Sequence, residues 1–224
     1  MRAIGDTHEK VEIYSKLIQG VDKSLQVGDL GLQRAHDWVL ANVDTANHKT
    51  VFGNHDYYPY VEREHSMGHF SYDETTGIFT IRGAKTRDIK GTKWTLVFNE
   101  DGTKAIDPDT GKPAKKLEYF ERIEGVDLFE HDEQLNHQQF ADAIDLFEKV
   151  KPSVVVSHDC PLDAVIALFN PWDGGKSFTT QGLQACFEIH QPDLWIFGHW
   201  HRSKDEKIGG TRFVCLAELE VFDF

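Results

Sequence analysis

The chain has 224 residues, 40% of them hydrophobic and 27% charged, and a formal net charge of −13. That size suits one domain with a large core or at most two small ones, and the composition is that of a soluble globular protein. The charge argues against broad binding to nucleic acid or anionic membrane, but metal ions could supply the positive charge that an anionic substrate needs. No apolar run approaches the roughly 20 residues that span a bilayer. The first residues carry Asp6, His8, Glu9, Lys10, Glu12 and Lys16, unlike a signal peptide. The cysteines, Cys160, Cys186 and Cys215, are too few and too scattered for a disulfide framework. A reducing, cytoplasmic setting is expected.

Met1 to Gly5 reads as a strand whose end presents Asp6 and His8, two residues apart and so on one side of an extended backbone. The same Asp-Thr-His also reads as a helix N-cap, because Val11, Tyr14, Leu17 and Ile18 follow at helical spacing. Ser24 to Val27 is the next strand and ends at Gly28-Asp29. A second amphipathic helix follows, with Leu32, Ala35, Val39 and Leu40 on its apolar face. His48 to Phe52 is a third strand, ending at Gly53-Asn54-His55-Asp56. This alternation of strand and helix predicts parallel strands with functional loops at one edge of a sheet.

Residues 57 to about 130 differ. Short apolar segments broken by Gly68, Gly77, Gly83, Gly91 and Gly102 predict a β-hairpin-rich insertion within a single domain over 1–224. Gln134 to Val150 is a helix with Phe140, Ala143, Ile144 and Phe147 as its buried stripe. Ser153 to Val156 is a β-branched strand running into Ser157-His158-Asp159-Cys160-Pro161. Leu162 to Phe169 and Thr179 to His190 read as helices, and Leu194 to Phe197 as a strand delivering Gly198-His199-Trp200-His201. Phe213 to Ala217 and Leu219 to Phe222 read as closing strands.

Five apolar strands thus end in residues able to hold a metal: Asp6 with His8, Asp29, Asn54 with His55, His158, and His199 with His201. Singly, each is as well read as a turn or a packing residue; jointly they form a combined motif. His36, His48, His65, His69, His137 and His190 have no motif context.

The series Asp-x-His, Gly-Asp, Gly-Asn-His-Asp, a lone His and Gly-His-x-His resembles that of the calcineurin-like metallophosphoesterase superfamily, bacterial and phage-type members included, from Asp6 to His201. The resemblance implies an αββα fold, a two-sheet β-sandwich flanked by helices. It implies two divalent metal ions, with Asp6, His8, Asp29 and His201 on the first and Asp29, Asn54, His158 and His199 on the second. Asp29 would bridge them. His55 would stand beside the metals as general acid or transition-state stabiliser, and Asp56 would hydrogen-bond and orient it. The expected activity is hydrolysis of a phosphate mono- or diester by a metal-bridged hydroxide. Imidazole, carboxylate and amide donors suit Mn, Fe, Zn, Ni, Co or Mg, with Mn expected first.

The chain departs from the protein serine/threonine phosphatase branch, which continues its Gly-Asp block with Asp-Arg-Gly. Here Gly28-Asp29 runs into Leu30-Gly31-Leu32-Gln33-Arg34, and Arg34 falls on the helix. Lys85, Arg87 and Arg202 are then the candidates to grip phosphate, and His131 and Trp200 to line the pocket. The expected partner is a phosphate-ester substrate, with no membrane, and nucleic acid only as a substrate. A nuclease would need a basic groove, which the net charge disfavours. A non-catalytic interaction scaffold would be expected to have lost ligands, and none is missing here.

Overall fold

The computed structural model describes residues 1–86, 133–171 and 175–224, and the backbone of two further strands. In chain order, β1 (Arg2–Ile4), α1 (Val11–Leu17), β2 (Ser24–Gln26), α2 (Gln33–Asn42) and β3 (His48–Thr50) come first. Next are β4 (Phe70–Asp73), β5 (Ile78–Ile81), β6 (Lys90–Leu96) and β7 (Lys115–Glu121). Then come α3 (His137–Val150), β8 (Val154–Ser157), α4 (Leu162–Phe169), α5 (Phe178–Ile189) and β9 (Leu194–Phe197). The last three strands are β10 (Lys204–Ile208), β11 (Thr211–Cys215) and β12 (Val221–Asp223). Met1–Lys85 and Leu128–Phe224 make one compact unit, and Thr86–Asp127, with the antiparallel pair β6 and β7, makes a second.

The first unit holds a four-stranded sheet in the order β12-β1-β2-β3 and a six-stranded sheet in the order β10-β11-β9-β8-β5-β4. Strands β1, β2 and β3 are parallel, as are β5, β8, β9 and β11. The segment read as an insertion therefore divides. Its first hairpin, β4–β5, is built into the six-stranded sheet through the pairing of β5 with β8.

Strand alternation explains the layers. Successive side chains point to opposite faces, so one β-branched run can serve two cores. Val156 on β8, Ile196 on β9 and Ile78 on β5 pack with Ala3, Leu25, Val27 and Val51 between the sheets. Their neighbours Val155, Trp195 and Phe79 face the other way, onto Phe140, Ala143 and Phe147 of α3 and Leu183, Cys186 and Phe187 of α5. Ile4, next to Ala3, packs on the far side with Tyr14, Ile18, Leu30, Ala35 and Val39, the faces of α1 and α2. Two helices begin where the sequence supplies caps: Asn136 with Gln139 at α3 and Ser177 with Thr180 at α5 each form a capping box.

One helix face differs from its expected pattern. Leu32 is 50% exposed at the start of α2, and His36 is fully buried on the face shared with Ala35 and Val39.

Candidate metal centre

Parallel strands deliver the segments after their C-terminal ends to one edge, where α/β sheets place their sites. Here the loops after β1, β2, β3, β8 and β9 carry the candidate residues. Four of them hold unusual backbone: φ is 45° at His8, 58° at Asp29, 66° at His199 and 50° at His201. Non-glycine residues seldom adopt these angles, and their concentration in one place marks a functional site. They also correct the reading of Asp6 and His8 as neighbours on an extended strand. The chain turns sharply at His8, and α1 starts only after Lys10, with no side-chain cap. Instead the N–H groups of Thr7 and His8 both donate to the Asp29 carbonyl, which ties the first loop to the second.

Asp6, His8, Asp29 and His201 bring one ligand atom each to within 4.8 Å of one another. Nε2 of His8 lies 2.9 Å from Nε2 of His201, and His201 Nε2 lies 3.1 Å from an Asp6 carboxylate oxygen. Asp6 is fully buried and also accepts from the His199 backbone N–H at 3.0 Å. A second set adjoins the first through Asp29. His158 Nε2 lies 3.2 Å from Asp29 Oδ1 and 3.1 Å from Asn54 Oδ1, and the ring centroids of His158 and His199 are 5.1 Å apart.

The donor set fits cations. His158 is fully buried, and its Nδ1 faces the Val27 carbonyl at 2.9 Å. With the proton on Nδ1, its Nε2 lone pair meets the oxygens of Asp29 and Asn54, three acceptors converging on one point. Only a proton or a metal ion satisfies such a group. The local field has the matching sign. Burial opposes charge on His158, but the Asp29 carboxylate outweighs it and pushes the pKa up to about 10. Burial likewise opposes charge on Asp29, and His158 foremost, then His55 and His8, hold it well below the usual carboxylate range. The hydrogen bond to Asp6 raises His201.

Glycines make the cradle. A Cβ on Gly53 would sit 2.3 Å from Asp29 Oδ1 and 2.6 Å from His158 Nε2, and one on Gly198 would sit 2.1 Å from Asp6 Oδ1. Gly53→Ala is therefore expected to lower stability by about 1–3 kcal/mol, the usual cost of overpacking, and to weaken metal uptake. Urea unfolding and a Mn²⁺ titration of the folded variant would check both.

His55 is partly exposed, its ring centroid 5.6 Å from that of His8, and its backbone N–H donates to Asp29 Oδ1 at 2.8 Å. The expectation that Asp56 orients His55 is corrected. Asp56 is fully buried, and its oxygens accept from the backbone N–H groups of Asp29 (2.9 Å), Gly31 (3.0 Å) and Gly53 (2.6 Å). A carboxylate so occupied works as a clamp between two loops. Sequence reasoning missed its fourth partner, His36, whose Nε2 lies 3.2 Å from Asp56 Oδ1.

Of the phosphate-gripping candidates, Lys85 and Arg202 are exposed, and Arg202 makes no side-chain hydrogen bond or ion pair among the described residues. Arg87 and His131 lie outside the described residues. Trp200 donates its indole N–H to Asp159 at 3.0 Å and stacks on Phe169 with centroids 4.4 Å apart. No helix among the described residues is long and apolar enough to cross a membrane.

The fold is thus a two-sheet sandwich with a candidate metal-binding cluster at its loop edge. The family model of the calcineurin-like phosphoesterases matches residues 2–203, and the chain belongs to that family. Among solved structures, the phosphopantetheinyl hydrolase of Mycobacterium tuberculosis is similar in fold, with a TM-score of 0.54 and 15% identity over 97% of this chain and 89% of that one. A dimetal phosphatase from Danio rerio matches with a TM-score of 0.47 and 13% identity, over 94% of this chain and 78% of that one. No curated protein matches the sequence.

Proposed function

We propose that the chain is a two-metal phosphoesterase acting on a small or accessible phosphate mono- or diester. The observation that carries this reading is the cluster of Asp6, His8, Asp29 and His201, with His158 and Asn54 meeting beside the same Asp29. Asp6, His8, Asp29 and His201 would hold one cation, and Asp29, Asn54, His158 and His199 the other. When bound, two divalent ions supply Lewis acidity for the phosphoryl oxygens and lower the pKa of water. The chain contributes only two carboxylates to the set, Asp6 and Asp29. The remaining ligands are neutral, so the centre keeps a formal charge of about +2 and attracts phosphate despite the −13 of the whole chain.

His55 stands at the partly exposed rim of the centre. Its main chain is fastened to the shared carboxylate, which leaves the imidazole available to protonate the leaving oxygen or to stabilise charge on it. The mixed imidazole, amide and carboxylate set favours Mn²⁺ first, with Fe, Zn, Ni, Co or Mg as alternatives. The three cysteines are buried thiols without disulfides, which supports a reducing, cytoplasmic setting.

The test is hydrolysis of p-nitrophenyl phosphate and bis-p-nitrophenyl phosphate by metal-stripped protein, with Mn²⁺, Ni²⁺, Zn²⁺ and Mg²⁺ returned in turn. Turnover should vanish on stripping and return with metal, and the ratio of the two substrates would assign mono- or diester preference. Silence on these and other generic esters with two metals bound per chain would refute the reading.

A further inference from the structure

Beneath the centre lies a buried polar chain with no part in holding metal. His36 on α2 and His65 are both fully buried, and His36 Nδ1 lies 2.7 Å from His65 Nε2. On its other side His36 Nε2 lies 3.2 Å from Asp56 Oδ1. Two imidazoles and a carboxylate, each without solvent, stand in line.

The partners fix the direction of the hydrogen bonds. Asp56 already accepts three backbone N–H groups, as a carboxylate does. His36 Nε2 then carries the proton and donates to Asp56, and His36 Nδ1 accepts from His65 Nε2–H. This leaves His65 Nδ1, buried and without a partner, as a bare acceptor. The competing arrangement has His36 Nε2 accept from the Tyr57 N–H at 3.3 Å. It would set two lone pairs face to face at Asp56 and bury an unpaired N–H on His65 Nδ1, the costlier of the two defects. Burial first, and His36 next, push His65 down to about 4, so the His65 imidazole is neutral.

The consequence falls on the metal loops. Asp56 is the one carboxylate that binds the N–H groups of Asp29 and Gly31 in one loop and of Gly53 in the other. Asp29 holds a left-handed φ of 58°, a conformation that persists only where its surroundings over-determine it. We propose that His36, backed by His65, is a positioning residue: it orients Asp56, and through Asp56 it sets the separation of the two loops that present Asp29 and Asn54. Outer partners of metal ligands commonly act in this way on affinity. The inference rests on the two-metal reading above.

The test is Mn²⁺ affinity, measured by titration of metal-stripped protein, alongside the melting temperature of the same metal-stripped samples. His36→Leu should weaken Mn²⁺ binding by about 10–100-fold. His36→Gln, whose amide can still donate to Asp56, should restore most of it. A purely architectural histidine would lower the melting temperature of His36→Leu and leave affinity at the wild-type value, which would overturn the proposal. Where His36→Leu does not fold, His65→Phe decides by the same readout: weakened binding supports the proposal and unchanged binding overturns it. Wild-type protein that takes up no metal would instead refute the two-metal reading, and this inference with it.

Discussion

Asp29→Asn is expected to reduce metal content to at most one ion per chain and turnover by more than about 10³-fold, the largest loss from any one side chain. Asparagine is the cleanest replacement here. It has the shape of aspartate and tolerates the left-handed backbone at this position, where φ is 58°. The change therefore isolates charge and ligand capacity from backbone strain. Asp29 Oδ1 meets His158 Nε2 at 3.2 Å and accepts the His55 N–H at 2.8 Å, while Oδ2 lies 3.9 Å from His8. The same carboxylate thus borders both ligand sets and meets the metal-facing nitrogen of His158. Asp6 approaches His201 at 3.1 Å but stands 3.9 Å from His158, so its loss should release chiefly the first ion. Metal analysis of the purified variant, with hydrolysis of p-nitrophenyl phosphate, checks the expectation. Two ions retained with turnover above a tenth of wild type would move the bridge to another residue.

The parts of this centre differ in how far sequence alone reveals them. Strand ends and residue types were readable because the strands are short runs, and four of the five end at a glycine, Gly5, Gly28, Gly53 or Gly198. The five loops and the layered sheets follow from that pattern. The backbone of the loops was not readable. Asp-x-His and His-x-His suggest side chains on one face of an extended strand, yet His8, His199 and His201 all turn through positive φ. The cost of those angles is met by cross-loop hydrogen bonds such as Thr7 and His8 to the Asp29 carbonyl, which join residues 22 and 21 positions apart. No local pattern encodes such a pairing.

Asp56 and His36 were misplaced for a related reason. Adjacency to His55 suggested that Asp56 orients the imidazole, but a fully buried carboxylate goes where backbone donors are most concentrated. Those donors are Asp29, Gly31 and Gly53. On α2, hydrophobicity favoured Leu32 for the buried face. The face that is buried carries Ala35, His36 and Val39, and its polar member is satisfied by His65 and Asp56. A histidine at a position i+1 and i−3 from two buried apolar residues was the available indication.

His55→Ala is expected to keep both metals and to lower kcat by about 10²–10⁴-fold, the range for loss of a general acid. The geometry separates the two effects. The bond from His55 to the centre is made by its backbone N–H to Asp29 Oδ1, which alanine retains. Its ring, partly exposed and 5.6 Å from that of His8, is what alanine removes. If the imidazole protonates the leaving oxygen, the defect must grow as the leaving group becomes more basic. An alkyl phosphate should therefore suffer more than p-nitrophenyl phosphate, whose phenolate departs without much help. A uniform loss across leaving groups would instead assign His55 to charge stabilisation at the phosphoryl oxygens. Loss of metal from the variant would contradict both roles, because it would place the imidazole among the ligands and not beside them.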